Sequence, residues 1–280
     1  MTTANELLGQ AVARLADPAQ LSEDPSTEAR ELLAHALGIL PRQLRSNDEI
    51  SPPAAAQFER LLARRLAAEP TGYIVGGVEI LGLRFKVDRR GFIPRLDLPV
   101  LIEAGLSRLP EDAEGFALDL ACGIGAAGIC VAHRRPKLHV DLADLSAEAI
   151  ELARENAAAL IPGRASCYAG DLYGPLPHGR KYAIVTANPP WVPDGTDLPE
   201  EVLNEPQVSF FGGPDGLDLV RKIIAELPEW LAPKGVYAQE CDPSQVPKVM
   251  ALLEAAGLRE TSAHADKEGV KRVVSARKPG

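Results

Sequence analysis

Tyr182-Ala183-Ile184-Val185-Thr186-Ala187-Asn188-Pro189-Pro190-Trp191-Val192-Pro193 is an apolar run that ends in an Asn-Pro-Pro-aromatic motif. The apolar half predicts a buried strand. The paired prolines cannot donate backbone hydrogen bonds, so the strand must end beside Asn188. In open α/β sheets ligands bind at the carboxyl ends of strands, where an Asn amide, carbonyls and the Trp191 ring can hold a planar amide or amino group. A proline turn that merely ends a strand has the same pattern, so this stretch alone leaves both interpretations open.

The composition is that of an ordinary globular protein. The chain has 280 residues, of which 46% are hydrophobic and 25% charged, enough for one large or two modest domains. The formal net charge is −9 and the pI is near 5.2, which argues against a dedicated nucleic-acid binder. A local basic cluster consists of Arg60, Arg64 and Arg65, which we expect on a solvated helix face.

Metal, disulfide and membrane chemistry are not indicated by the sequence. The four cysteines, at 122, 130, 167 and 241, lack CxxC spacing, and the five histidines are isolated. We therefore expect reduced thiols, a cytoplasmic location and no metal. The first eight residues lack a basic segment followed by an apolar core, and no apolar run approaches the ~20 residues that span a membrane. We expect no membrane partner.

Segments that differ in amino-acid composition and hydrophobic pattern follow one another along the chain. Residues 5–67 are rich in Ala, Leu and Arg, with apolar residues at helical spacing, and predict three or four helices. Residues 73–77 and 83–87 predict the two strands of a hairpin. The helical part either recognises a macromolecular substrate or only covers a larger domain. The predicted domains are a helical substrate-recognition domain (1–68), a β-hairpin linker (69–97) and a catalytic domain (98–280).

From Leu98 onward strands and helices alternate, which predicts a doubly wound, mostly parallel α/β sheet. Helices are expected at 100–109, 125–133, 146–160, 217–231 and 246–256. Strands are expected at 116–120, 139–144, 166–169, 182–186, 235–240, 260–265 and 271–276.

A glycine-rich loop follows the first of these strands, in Asp119-Leu120-Ala121-Cys122-Gly123-Ile124-Gly125-Ala126-Ala127-Gly128. Its GxGxxG spacing alone also fits a dinucleotide. Asp119 can hold an ammonium group, Asp144 can accept both ribose hydroxyls, and Asp171 can bind an adenine amino group. Three acids favour the cationic cofactor S-adenosylmethionine and would repel a pyrophosphate. Any one of them can be a helix cap or turn former, but three at strand ends favour a site.

Further motifs are spread over nearly the whole chain. Before residue 98 they lie at 28–38, 64–65, 69–70, 73–74, 81–87 and 93–95. After it they lie at 119–125, 144–146, 153–156, 170–172, 188–190, 205–206, 212–213, 215–218, 269 and 272–274. With these motifs the chain resembles the protein-glutamine N5-methyltransferases that modify peptide-chain release factors (HemK-like). The combination is specific to that family, although Asn-Pro-Pro-aromatic is shared with DNA and RNA amino-methyltransferases.

The resemblance implies a seven-stranded class I S-adenosylmethionine-dependent methyltransferase domain, an N-terminal helical bundle and a hairpin linker. It implies that Asn188 and the Pro189 carbonyl bind a glutamine side-chain amide in the Gly-Gly-Gln loop of a release factor, with S-adenosylhomocysteine as the product. The remaining acceptor-binding residues that it implies are Pro190, Trp191, Glu205 and Pro206. The implied cofactor-binding residues are Arg95, Asp119, Ala121, Cys122, Gly123, Gly125, Asp144, Leu145, Asp171, Leu172 and Asn188.

Some positions depart from the family pattern. Trp191 stands where Tyr is usual, and Ala121 replaces the first loop glycine. After Arg95 the family usually has Pro, an acid, Thr and Glu, and of these Leu96-Asp97-Leu98-Pro99 keeps only the acid, Asp97. Cys241-Asp242 stands where the family usually has Ile-Gly. These departures motivate an alternative, a paralogue that methylates a small-molecule amide or amine, for example in secondary metabolism. A further alternative is a catalytically inactive binding protein, and the retained acids argue against it. Another is a nucleic-acid amino-methyltransferase, and the acidic pI argues against that one.

Overall fold

The computed structural model describes residues 2–16, 24–95 and 97–280, so Leu96 lies outside the described residues. The described residues form two compact units. The helical unit ends at Gly77 in the first part of the chain and also includes Asp197–Glu205. The sheet unit comprises Val78–Thr196 and Pro206–Gly280. The units therefore divide the chain at other places than the predicted boundaries at 68 and 97.

The α-helices of the described residues are α1 (Ala4–Leu15), α2 (Pro25–Leu37), α3 (Pro52–Leu66), α4 (Thr71–Val75), α5 (Leu98–Leu106), α6 (Ala126–Arg134), α7 (Ala147–Leu160), α8 (Glu200–Leu203), α9 (Asp218–Trp230) and α10 (Val246–Ala255). The strands are β1 (Thr2–Thr3), β2 (Glu49–Ile50), β3 (Gly77–Ile80), β4 (Leu83–Lys86), β5 (Gly115–Leu120), β6 (Leu138–Asp144), β7 (Ala165–Ala169), β8 (Tyr182–Ala187), β9 (Leu231–Glu240), β10 (Arg259–Ala265) and β11 (Lys271–Arg277). Among the described residues, no helix is long and apolar enough to cross a membrane.

Local sequence explains where the first helices begin and end. Thr3 and Glu6 form a capping box at the start of α1, and the Ser51 hydroxyl accepts the Ala54 N–H at the start of α3. Gly38 ends α2 in the left-handed conformation, with φ of 67°. The apolar faces of α1, α2 and α3 pack together with residues of α4 into the core of the helical unit.

The predicted strand at 73–77 is wrong, because these residues mostly belong to the short helix α4. Pro70 precedes that helix, and Gly76 ends it with φ of 69°. The hairpin exists: its second strand, β4, lies within the predicted 83–87, and its first strand is β3, which begins at Gly77. A five-residue apolar run has no periodicity that distinguishes a strand from a single helical turn.

Arg65 is buried, with 1% of its side chain exposed, so the expectation of a solvated face is wrong for it. Its guanidinium lies 2.7 Å from a Glu28 oxygen and 2.8 Å from a Glu201 oxygen. A buried cation needs such partners, because its desolvation is costly. The Asn204 amide donates to the Ala68 carbonyl at 3.0 Å. These bonds attach Asp197–Glu205 to the helical unit.

The sheet unit contains a seven-stranded sheet in the order β10-β11-β9-β8-β5-β6-β7. The pairs from β7 to β9 are parallel, and β11 runs antiparallel to both β9 and β10. This confirms the predicted doubly wound, mostly parallel sheet. The chain leaves β5 for β6 and β7 and then returns to β8 on the other side of β5. A topological switch point therefore lies between β5 and β8.

Candidate active site

The carboxyl ends of the central strands are in register at the switch point. Leu120 of β5 pairs with Ala187 of β8 and with Ala143 of β6. Ala187 in turn pairs with Gln239 of β9. The loop that begins at residue 121 and the Asn-Pro-Pro stretch that begins at residue 188 therefore start side by side, as the sequence predicted.

The glycine loop turns back on itself within five residues. The Cys122 N–H donates to the Ala143 carbonyl at 3.1 Å, and the Gly125 N–H donates to the Cys122 carbonyl at 2.8 Å. Gly125 has φ of 82°, and a Cβ there would lie 3.0–3.3 Å from three packed side chains. Ala121, which stands in place of a glycine, has φ of 51°. Only glycine adopts this left-handed conformation without a steric cost, so Ala121 is locally strained.

Asp119 ties the glycine loop to the neighbouring strand. Its carboxylate accepts the Gly128 N–H of α6 at 2.8 Å and the Thr186 hydroxyl of β8 at 2.8 Å. The side chain is 2% exposed. Burial raises the pKa of Asp119 to about 7, opposed by these two hydrogen bonds and reinforced by the nearby Asp144. Its predicted contact with a cofactor ammonium group stays a prediction.

Asp144 is held in a fixed orientation at the end of β6. Its two oxygens accept the Gly123 N–H at 2.8 Å and the Ser146 N–H at 2.9 Å. Burial raises the pKa of Asp144, and these backbone donors oppose the shift. The Gly170 N–H donates to the Asp144 carbonyl at 2.9 Å, so the turn that carries the exposed Asp171 starts next to Asp144.

The donor set fits the cofactor that the sequence predicted. Burial disfavours the ionised form of these two neighbouring carboxyl groups, so a ligand that carries positive charge would stabilise them as carboxylates, whereas a pyrophosphate would be repelled by them. Leu145, directly after Asp144, is 62% exposed and offers an apolar surface beside the carboxylate. Within the described residues, no cluster of three or more His, Cys, Asp or Glu side chains is arranged to hold a metal ion.

The acceptor stretch presents hydrogen-bonding groups that the described part of the chain leaves without a partner. Asn188 is half-buried, and no other described residue forms a hydrogen bond with its side-chain amide or with the Pro189 carbonyl. The backbone just beyond is anchored: the Val192 N–H donates to the Phe210 carbonyl at 2.9 Å. The Gly212 N–H donates to the Val192 carbonyl at 2.9 Å. Two acceptors thus stand at the end of a buried strand on a fixed backbone.

Aromatic and acidic residues that the sequence did not single out lie close to Arg95. The Phe92 and Phe210 rings meet edge to face at 5.6 Å, and the Arg95 guanidinium lies 4.9 Å from the centre of the Phe92 ring. Burial raises the pKa of Glu240 to about 7, a shift that Asp97 reinforces and that Arg272 and Arg95 oppose. The sequence contains a signal for Glu240, since an acid that ends a buried strand marks the ligand-binding edge of the sheet.

The two remaining predicted acceptor residues fall in different units. Glu205 is buried and belongs to the helical unit, and Pro206 begins the second segment of the sheet unit. Their place at the rim of the acceptor pocket stays a prediction. The same holds for Leu172, whose φ of 46° lies in the left-handed region, and for the half-buried Trp191.

The fold and the site define a class I S-adenosylmethionine-dependent methyltransferase. Two family models match the chain: the PrmC N-terminal domain at residues 6–76 and the methyltransferase small domain at residues 103–205. The chain belongs to the release factor glutamine methyltransferase family. It is 38% identical to the release factor glutamine methyltransferase of Cereibacter sphaeroides, over 99% of both chains. The corresponding protein of Moorella thermoacetica is 38% identical over 91% of both.

More distant proteins share part of the sequence or the fold. The ribosomal protein uL3 glutamine methyltransferase of Xylella fastidiosa is 35% identical over 80% of this chain and 74% of that one. A methyltransferase from Pyrococcus furiosus has a similar structure, with a TM-score of 0.54, 15% identity and coverage of 72% and 91%. The 16S rRNA N2 G1207 methyltransferase of T. thermophilus, solved with AdoMet and guanosine, has a TM-score of 0.51, 21% identity and coverage of 72% and 49%. These two likenesses show the fold.

Proposed function

We propose that this enzyme methylates the side-chain amide nitrogen of a glutamine in a peptide-chain release factor. The observation that carries the proposal is a pair of acceptors at the carboxyl end of β8, the Asn188 side-chain oxygen and the Pro189 carbonyl, with which no other described residue forms a hydrogen bond. The register between Leu120 and Ala187 supports it, because the cofactor loop then starts beside the acceptors. The family membership supports it as well.

The acceptors address the main chemical difficulty of the reaction. An amide nitrogen is a poor nucleophile, because its lone pair is delocalised into the carbonyl. We assign the Asn188 side-chain oxygen and the Pro189 carbonyl to accept the two N–H bonds of the substrate amide. This fixes the direction of the nitrogen and raises its electron density. Positioning of this kind supplies a large part of the rate enhancement, and the proton can leave after transfer, so no strong base is required.

The cofactor is held by the glycine loop and the acids around it. We assign Asp144 to the ribose hydroxyls, Asp171 to the adenine amino group and Asp119 to the charge of the methionyl ammonium. Arg95, Leu145 and Leu172 complete this set. When bound, S-adenosylmethionine supplies a methyl group already activated on a sulfonium and is converted to S-adenosylhomocysteine. Trp191 forms the aromatic wall beside the acceptor amide, and we assign the helical unit to recognition of the protein substrate in the cytoplasm.

The direct test is methyl transfer from S-adenosylmethionine, labelled in its methyl group, to a purified release factor. We expect label on the release factor, and peptide mass analysis should assign it to one glutamine. Release factor in which that glutamine is replaced by alanine is the matched control and should remain unlabelled. Absence of label on the unmodified release factor would contradict the proposal.

A second acceptor is ribosomal protein uL3, because the uL3 glutamine methyltransferase of Xylella fastidiosa is also similar to this chain. Its coverage is lower, 74% of that protein against 99% for the release factor enzyme of Cereibacter sphaeroides. The same assay therefore includes purified uL3 and small primary amides. A kcat/KM higher for uL3 or for a small amide than for the release factor would move the assignment to that acceptor.

A further inference from the structure

The Gln245 side chain joins three segments next to the acceptor stretch. Its Nε2 donates to the Trp191 carbonyl at 2.9 Å and to the Asp215 carbonyl at 3.1 Å. Its Oε1 accepts the Asp242 N–H at 3.1 Å. The residue is 5% exposed. Both amide donors and the amide oxygen are thus used inside the protein, as expected for a buried polar group with a defined structural task.

The backbone around Gln245 is shaped to bring these groups together. Gly216 has φ of 73°, and a Cβ at that position would collide with the Trp191 carbonyl and lie 2.5 Å from the Gln245 Nε2. A Cβ at Gly212 would lie 2.5 Å from the Pro190 carbonyl. Glycine is therefore required on the side of the acceptor stretch that faces residues 212–216. The close approach lets one side-chain amide reach both loops.

The Trp191 carbonyl is a critical anchor point for this stretch. Pro189 and Pro190 have no N–H, so the backbone between β8 and Val192 has few groups that can hold it in place. The Val192 and Gly212 hydrogen bonds fix the far end of the stretch. The Gln245 bond holds the Trp191 carbonyl, on the other side of the same planar peptide group as the Val192 N–H, so this peptide group, three residues after Asn188, is fixed from both sides.

We propose that Gln245 is a positioning residue for methyl transfer, which holds Trp191 and thereby sets the direction of the Asn188 amide and the Pro189 carbonyl. The inference rests on the proposed function. Gln245 acts through the acceptor stretch and is assigned no contact with substrate or cofactor. A displacement of about 1 Å at a reacting group costs on the order of 100-fold in rate, so release of this anchor lowers kcat more than it weakens binding.

The test replaces Gln245 in two ways. Gln245→Met keeps the approximate length and removes all three hydrogen bonds, whereas Gln245→Glu keeps the oxygen that faces Asp242 and removes the two donors. We expect kcat on the release factor to fall about 30- to 100-fold in both variants. The Kd for S-adenosylmethionine and the KM for the release factor should stay within about threefold. Gln10→Met, an exposed change on α1, is the matched control and should leave all three values unchanged.

A spectroscopic measurement reports on the anchor without activity. The chain has two tryptophans, and Trp230 stacks on Tyr173 at 5.1 Å. A Trp230→Phe background therefore leaves Trp191 as the fluorescent probe. In that background, Gln245→Met should lower the steady-state anisotropy of Trp191 and shift its emission to the red, and Gln10→Met should do neither.

The outcomes separate the two proposals. If the wild-type protein transfers no label to the release factor, the proposed function is wrong. The Trp191 fluorescence anisotropy would then decide whether Gln245 holds Trp191. Active wild-type protein with full kcat in both folded Gln245 variants would overturn the positioning role. Unchanged anisotropy in Gln245→Met would overturn the anchor itself. Circular dichroism establishes that each variant is folded before it is assayed.

Discussion

Replacement of a single glycine by alanine should have opposite effects at two helical positions. Gly128 lies in the first turn of α6, where a Cβ would be 2.7 Å from a Leu142 methyl carbon, 2.8 Å from the Asp119 Cβ and 2.9 Å from a Val140 methyl carbon. Gly9 lies within α1, and a Cβ there would meet nothing within 4 Å. The two substitutions add the same methyl group to very different surroundings.

The magnitudes follow from these surroundings. Gly9→Ala should raise the free energy of unfolding by about 1 kcal/mol, the usual difference in helix propensity. Gly128→Ala forces α6 away from the sheet, and overpacking costs about 1–3 kcal/mol. The same shift weakens the Gly128 N–H bond to the buried Asp119 carboxylate, and loss of a bond to a charged group costs about 1.5–3 kcal/mol. Because the bond is weakened and not lost, we count about 1 kcal/mol for it and about 2 kcal/mol for overpacking, and after the propensity gain of about 1 kcal/mol is subtracted we expect a net loss of about 2 kcal/mol.

Urea denaturation followed by circular dichroism and by tryptophan fluorescence measures both changes. The two variants should differ by about 3 kcal/mol, the sum of the two effects. Gly128→Ala should also weaken S-adenosylmethionine binding, because α6 begins directly after the cofactor loop, whereas Gly9→Ala should not. Gly128→Ala protein as stable as wild type would refute the argument that the third glycine of the loop exists for close helix–strand packing.

Three further results are expected. Ala121→Gly should raise the free energy of unfolding, measured by urea denaturation, by about 0.5–1 kcal/mol. Glycine removes the steric cost of a left-handed alanine, about 1–2 kcal/mol, and this exceeds the stabilisation of the unfolded chain by its added entropy, about 0.4–1 kcal/mol. A loss of stability would contradict this. The pKa of Asp119, near 7, is raised by burial, so a cationic ligand that favours the ionised form should bind more tightly as pH rises, with a calorimetric Kd for S-adenosylmethionine about tenfold lower at pH 8 than at pH 6. By the same linkage, the ligand-free protein should lose stability as pH rises from about 4 to about 7, and a Kd independent of pH would show that Asp119 does not respond to the ligand. Arg65→Met should destabilise the protein by about 2–3 kcal/mol, because it leaves the partly buried carboxylates of Glu28 and Glu201 without their cation. Arg14→Met, at an exposed ion pair, should cost at most about 1 kcal/mol, and equal thermal shifts for the two variants would be inconsistent with the buried guanidinium.

The parts of the fold that depend on local pattern were predictable from the sequence. All seven strands of the sheet were expected within a few residues of their observed bounds, because most of them are short runs rich in apolar residues between turn residues and helices. The predicted strand at 73–77 failed because a single turn of helix and a short strand share one apolar signal. The left-handed Gly76, which ends that turn, was the local sign of a helix.

Features that depend on contacts between distant residues were not predictable from one sequence. Glu201 pairs with Arg65 across 136 positions in the chain, so nothing near residue 201 shows that this segment belongs to the helical unit. Gln245 reaches Trp191 across 54 positions, and a lone glutamine after a strand carries no sign of such a contact. By contrast, the sequence could predict that the acids at 119, 144 and 171 lie near one another. Alternating strands and helices predict a parallel sheet, and the strands of such a sheet end at the same edge.

The account rests on Asn188 as the residue that holds the acceptor amide, and its removal tests that most directly. The measurement is the turnover of methyl transfer to the release factor together with the calorimetric Kd for S-adenosylmethionine, in wild type, in Asn188→Ala and in the exposed control Asn5→Ala. We expect Asn188→Ala to lose about 10²–10³-fold or more in turnover, as when one preorganised polar group is removed from an active site, with Kd within about threefold of wild type. Asn5→Ala should match wild type in both. Normal turnover in Asn188→Ala would contradict the role of the Asn-Pro-Pro stretch and with it the proposed function.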